Sequence, residues 1–115
     1  MKTTKYLVGV GYIVDGAQCH VAIEDSLDAV FESAFIDANM EGHIEITGDE
    51  ILVNCWTVDE GEPSKTFNYT VLNNLKSIAR FLEDFSEEHA DGDERDAYWL
   101  SRLEIEDNQL TVTRH

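Results

Sequence analysis

Apolar residues recur at every second position through most of this chain, and only twice do they change to helical spacing. Alternation with period two puts apolar side chains on one side of a strand, while recurrence at three and four marks one side of a helix. From Thr4 to Val14 the alternation runs through Tyr6, Val8, Val10 and Tyr12 and stops at Asp15-Gly16, a two-residue hairpin signal. In "AQCHVAIE" Cys19, Val21 and Ile23 share one face and Gln18, His20 and Glu24 the other, which predicts a half-buried strand. Asp25 or Ser26 then caps a helix. Its Leu27, Val30, Phe31, Ala34 and Ala38 form a buried stripe, with Asp25, Asp28, Glu32, Ile36 and Asn39 opposite, and Gly42 ends the segment.

Beyond Gly42, "HIEITGDEILVNCWTV" reads as two strands turning at Gly48-Asp49. "DEGEPS", with the only proline, reads as a loop, and "KTFNYTV" as a further strand. A second helix runs from about Asn74 to His89. It turns Leu75, Ile78, Ala79, Leu82 and Phe85 inward and Arg80, Asp84, Glu87 and Glu88 outward. "DGDERDAYWLSR" reads as a loop with a helical turn, and "RLEIEDNQLTVTR" as a hairpin turning at Asp107-Asn108. The order is β-β-α-β-β-β-α-β-β in a single domain, residues 1–115. Hairpin runs with two intervening helices predict an α+β fold. The expected form is one antiparallel sheet of about six to seven strands with both helices on one face. "HIEITGDEILVN" and "RLEIEDNQLTVT" align without a gap. An internal β-α-β-β duplication would account for this echo, and so would the general similarity of polar-faced hairpins.

The charge is the second constraint. Eight Lys and Arg stand against 24 Asp and Glu, a formal net charge of −16. A small domain needs a magnitude of roughly 2–8 for solubility, and a larger charge opposes compaction. From Tyr6 to Ser64 there is no Lys or Arg, yet thirteen carboxylates occur. Phosphate contacts require Lys and Arg, so nucleic acid and anionic membranes are poor direct partners and a basic protein is the natural complement. No apolar run is long enough to span a bilayer. The opening "MKTTKYLVGVGYIV" alternates like a strand and lacks a small-residue cleavage site, which predicts a cytoplasmic protein. Cys19 and Cys55 each sit in an apolar run and are expected to be buried free thiols.

Tests for chemistry fail one after another. "EDFSEEHADGDERD", Glu83 to Asp96, holds eight carboxylates and one arginine. Started at Asp91, a calcium loop would have Asp93 at position 3 but Arg95 at position 5, and its glycine at position 2 instead of 6. His43-Ile44-Glu45 lacks the downstream Pro-Cys-x-x-Cys of zinc deaminases. Cys19 and His20 are strand neighbours and point to opposite faces. "GVGYIVDG" has neither phosphate-loop spacing nor a following helix. Among so many acids, a carboxylate pair at catalytic separation carries no information. The chain is therefore expected to be a non-enzyme with no cofactor and no metal site.

The leading expectation is an acidic inhibitor that imitates nucleic acid, as small phage-encoded blockers of restriction or CRISPR nucleases do. Duplex DNA presents one charge per roughly 1.7 Å of axis. Asp25, Asp28 and Glu32 would display theirs about 5–6 Å apart between neighbours. The expected partner is a basic nuclease or nucleoprotein complex. Its contact set is Asp25, Asp28, Glu32 and Ile36, then Asp59, Glu60 and Glu62, then Glu83, Asp84, Glu87, Glu88, Asp91, Asp93 and Glu94. The alternatives are an immunity protein or antitoxin with a hot spot at Ile36, Tyr98 and Trp99, or an acidic module adapted to salt. Composition leaves the oligomeric state open, although an exposed last strand would offer an edge for self-pairing.

Overall fold

A computed structural model describes residues 2–12, 19–89 and 96–114. It shows an α+β chain of seven strands and two helices, in the order the periodicity predicts. The strands are β1 (Thr3–Tyr12), β2 (Cys19–Glu24), β3 (Met40–Thr47), β4 (Glu50–Asp59), β5 (Glu62–Leu72), β6 (Asp96–Glu106) and β7 (Gln109–Arg114). Helix α1 spans Leu27–Asp37 and α2 spans Leu75–His89.

The strands do not form the single sheet expected. They divide into a four-stranded sheet, β2-β1-β6-β7, and a three-stranded one, β3-β4-β5, with every pairing antiparallel. Local alternation defines strands and hairpins but not which hairpins join. Here β6 pairs with β1, almost a whole chain length away, while β3, β4 and β5 pair only with one another. Both helices still lie on one side: α1 packs against β3, and α2 against β6 and β5. The shortest dimension is 22 Å, about the thickness of one helix layer on one sheet layer.

The core lies between these layers. Phe31 and Phe35 of α1 meet Ile78, Leu82 and Phe85 of α2 over Val8 and Leu100 of one sheet and Ile51, Val53, Cys55 and Val71 of the other. Phe31 contacts Phe81, and Phe35 contacts Phe85. Matching steps of four on both helices mean that they run parallel. His89 closes this aromatic row, with its ring centroid 4.7 Å from that of Phe67 and 4.6 Å from that of Phe85.

Ser26 is the N-cap of α1, its Oγ accepting from the Ala29 amide at 3.2 Å. Asn74 caps α2 in the same way, accepting from the Ser77 amide at 2.8 Å. Gly42 does not end the first helical segment as expected. The helix stops at Ala38, Asn39 takes a left-handed φ of 56°, and β3 is under way by Met40. Asn is one of the few residues that enter this region readily. Gly42 lies inside β3 for a different reason: a Cβ there would stand 2.8 Å from the Asn54 carbonyl oxygen, 2.8 Å from Cys55 Cβ and 2.9 Å from the Phe35 ring. Only glycine lets α1 settle this close to the sheet.

Two further segments differ from expectation. "DEGEPS" is a tight hairpin, with Glu60 and Gly61 both at positive φ as a two-residue turn demands. Pro63 is tolerated because β5 is an edge strand. Asp96–Arg102, read as loop and helical turn, is the first part of β6. Its charged prefix hides a strand that only β1 reveals. Asp15-Gly16, Asp91, Asp93 and Glu94 lie outside the described residues.

Finally, β2 forms as expected but its apolar side is not buried. The register sets Ala22 opposite the core residue Val8, so Val21 and Ile23 point away from the helices into solvent.

Candidate partner-binding surface

Helix α1 presents the first acidic row. Asp25, Asp28, Glu32 and Ile36 are all exposed, as the helical spacing predicts. Asp28 sits in the first turn, where the helix dipole favours a negative charge. Asp25 pairs with Lys5 at 2.9 Å, and the hydrogen bond and charge of that ammonium hold its carboxyl below the usual range. Lys2 and Arg102 both flank Glu104, at 3.1 and 3.2 Å. Described cations therefore neutralise acids of the four-stranded sheet. Asp28, Glu32, Asp59, Glu60 and Glu62 make no ion pair with a described cation.

The second group gathers at one end. Because β3 begins with Met40 opposite Thr57, the β4–β5 tip with Asp59, Glu60 and Glu62 projects where α1 hands over to β3. The parallel helices end towards the same side, since His89 reaches Phe67 on the tip half of β5. Asp84, Glu87 and Glu88 are exposed there, while Glu83 is half-buried and, like Glu87, interacts within the chain. This end is electrostatically unfavourable. A helix C-terminus prefers cations, by about 0.3–1 kcal/mol per charge. Yet α1 has no basic residue in its last turn and α2 has only His89 beside Glu87 and Glu88.

Between α1 and β3 lies a groove of about 430 Å³ lined by Glu32, Phe35, Ile36, Met40, Glu41, Gly42 and Trp56. Trp56 Nε1 donates to Glu41 Oε2 at 3.3 Å, which fixes the indole beside a carboxylate. Its ring also meets His43 edge-on at 5.9 Å. Two carboxylates, an indole and the aliphatic Ile36 side chain suit a long cationic side chain: the charge meets the acids, and the stem meets the apolar wall. Sequence reading found Glu32 and Ile36 but not Glu41 or Trp56. The signal was the alternation of Glu41, His43 and Glu45 on one face of β3, which becomes informative only once Trp56 is known to lie opposite Glu41.

The hot spot of Ile36, Tyr98 and Trp99 is not assembled. Ile36 lies on the helix side, whereas Trp99 pairs across from Gly9 on the sheet face turned away from the helices. The side chains of Tyr98 and Cys19 lie outside the described residues. Cys55 is fully buried, and burial, helped by the Glu88 charge, pushes its thiol up to about 11. It is a packed thiol rather than a poised thiolate. Tyr69 is pushed up to about 12 by burial and by Glu88, and its hydroxyl lies 2.8 Å from His89 Nε2. Among the described residues no group of His, Cys, Asp and Glu is arranged to hold a metal ion. No helix among them is long and apolar enough to cross a membrane.

Comparison with family models, with curated protein sequences and with solved structures finds no match to this chain.

Proposed function

We propose that this protein is a non-enzymatic inhibitor whose carboxylates occupy the cationic nucleic-acid groove of a nuclease or nucleoprotein complex. The carrying observation is where the acids stand. They persist at the C-terminal ends of both helices, against the helix dipoles, and at the β4–β5 tip, where Asp59, Glu60 and Glu62 make no ion pair with a described cation. Solubility alone would be met by fewer charges in better places. With the α1 row, these acids form a display running from Asp25 to the far end of the helix layer. Opposite potentials would make association fast and salt-sensitive. The groove at Glu32, Glu41 and Trp56 would receive a lysine or arginine of the partner.

That groove also favours a second reading: an immunity-type neutraliser anchored at Ile36 and Trp56 inside an acidic rim. One experiment covers both. A basic nuclease or nucleoprotein complex recovered with the protein from its native host is titrated at rising salt, with duplex nucleic acid as competitor. Asp28→Lys with Glu32→Lys, and separately Glu60→Lys with Glu62→Lys, should each weaken binding at least tenfold with the fold retained by circular dichroism, the first pair melting slightly lower because a lysine in the first turn opposes the α1 dipole. Affinity unchanged in both variants would defeat the acidic mechanism. Affinity that ignores salt but is lost in Ile36→Ala or Trp56→Ala would favour the neutraliser.

A further inference from the structure

The four-stranded sheet carries a second surface of opposite character, on the side turned away from the helices. Val21, Ile23, Trp99, Ile105, Leu110 and Val112 are each 40–66% exposed there. Single exposed apolar residues mean nothing, but the register puts these on one continuous face: Val21 next to Gly9 next to Trp99, and Ile105 next to Leu110. The Trp99 indole lies across Gly9, where a Cβ would come within 3.3 Å of it, so the face is smooth at its centre. Leu7 and Leu103 fill the positions between. Together the six expose on the order of 600 Å², at or above the largest patch of a typical monomer and close to the roughly 800 Å² per partner of a stable complex.

Apolar area and the placement of charge together point to the occupant. In a chain of −16, the centre of this face bears no described charge; near its border stand Arg114 and Lys5, the latter paired with the Asp25 carboxylate at 2.9 Å. A basic partner, which the helix side suits, gains little at a centre without acids. A strongly anionic partner is repelled by the chain as a whole. A second copy shares that repulsion but offsets it by burying an equal apolar area. It brings the same apolar centre and keeps its helix-layer acids on the far side, and two such sheets stack about 10 Å apart in an isologous pair. We infer that this protein forms a two-fold dimer through the outer face of β2-β1-β6-β7, with both acidic helix layers pointing outward. The pairing is therefore face to face and does not use the edge of β7.

Sedimentation equilibrium of the 13.0 kDa chain tests this at two salt concentrations, about 0.05 M and 0.5 M. The protein should dimerise, and more tightly at high salt, because salt screens repulsion between two acidic copies. Val21→Lys with Leu110→Lys should weaken the dimer at least 100-fold while melting at the wild-type temperature. Both substitutions reduce the net negative charge, so a loss of dimer would not come from repulsion between acidic chains. A wild type that stays monomeric at about 100 µM in high salt overturns the inference. So does a dimer that survives the double substitution. A monomer whose partner binding is lost in that variant would assign the face to the partner and also overturn it. The first two outcomes do not depend on whether the acidic surfaces bind a basic protein.

Discussion

Gly42→Ala is the sharpest test of how the groove is held. The added methyl would stand 2.8 Å from the Asn54 carbonyl oxygen and from Cys55 Cβ, and 2.9 Å from Phe35 Cε2. Carbon contacts settle near 3.5–4.0 Å, so each overlap is more than about half an ångström. None of the three obstacles yields easily. Asn54 belongs to β4, the central strand of its sheet, and Cys55 is fully buried. Phe35 is 3% exposed and packed against Phe31 and Phe85. Overpacking of this kind costs about 1–3 kcal/mol, and the upper half applies where nothing can relax. Stiffening the unfolded chain returns about 0.4–1 kcal/mol. The net expectation is a loss of about 1–2.5 kcal/mol, or roughly 4–10 °C in melting temperature for a domain this size. Urea unfolding should show a lower midpoint with an unchanged slope. Because the methyl pushes against Phe35, it should also lift α1 and widen the groove between Ile36 and Trp56, visible as a change in Trp56 fluorescence. A Gly42→Ala protein as stable as wild type would refute the close approach of α1 to β3.

Two smaller perturbations probe other contacts. Ser26→Ala removes the acceptor for the Ala29 amide and should cost about 0.5–2 kcal/mol, while Ser26→Asp should retain most of the stability; equal melting curves for the two would exclude the cap. Stability should also fall in alkali. The Cys55 thiol rises from 9.0 to about 11 and the Tyr69 hydroxyl from 10.0 to about 12 on folding. The folded state therefore holds protons that the unfolded state releases. Their contribution is complete below pH 9 and is lost between about 9 and 12. Cys55→Ala should flatten the lower part of that window, and in a Cys19→Ser background the remaining thiol should resist alkylation until the protein unfolds.

Periodicity located both helices, the strand order and most of the core, because burial on one side of an element writes itself into its own spacing. Long-range choices were not legible. Nothing within "DAYWLSR" announces that it pairs with β1, and nothing local separates β3-β4-β5 from the other sheet. The most instructive miss is β2. Alternation of Val21 and Ile23 says only that one side is apolar; which side meets the core depends on register with Val8, a fact that belongs to the pairing. Of the contact set, the α1 row was legible because a helix carries its own ruler. Glu41 and Trp56 were not, because they become neighbours only through strand pairing.

That miss changes the meaning of the charge. If the acidity served only solubility or salt tolerance, carboxylates should be spread over every exposed strand face, the apolar one most of all, since a charge there would suppress association. Instead the centre of the exposed face of Val21 and Trp99 is bare of them, Asp25 reaching only Lys5 at its border, while the helix ends carry acids against their own dipoles. The two surfaces therefore predict opposite responses to one variable. Rising ionic strength should weaken anything held by Asp28, Glu32, Glu60 and Glu62 and strengthen anything held by the apolar sheet face. A solubility coat would have no reason to produce that opposition.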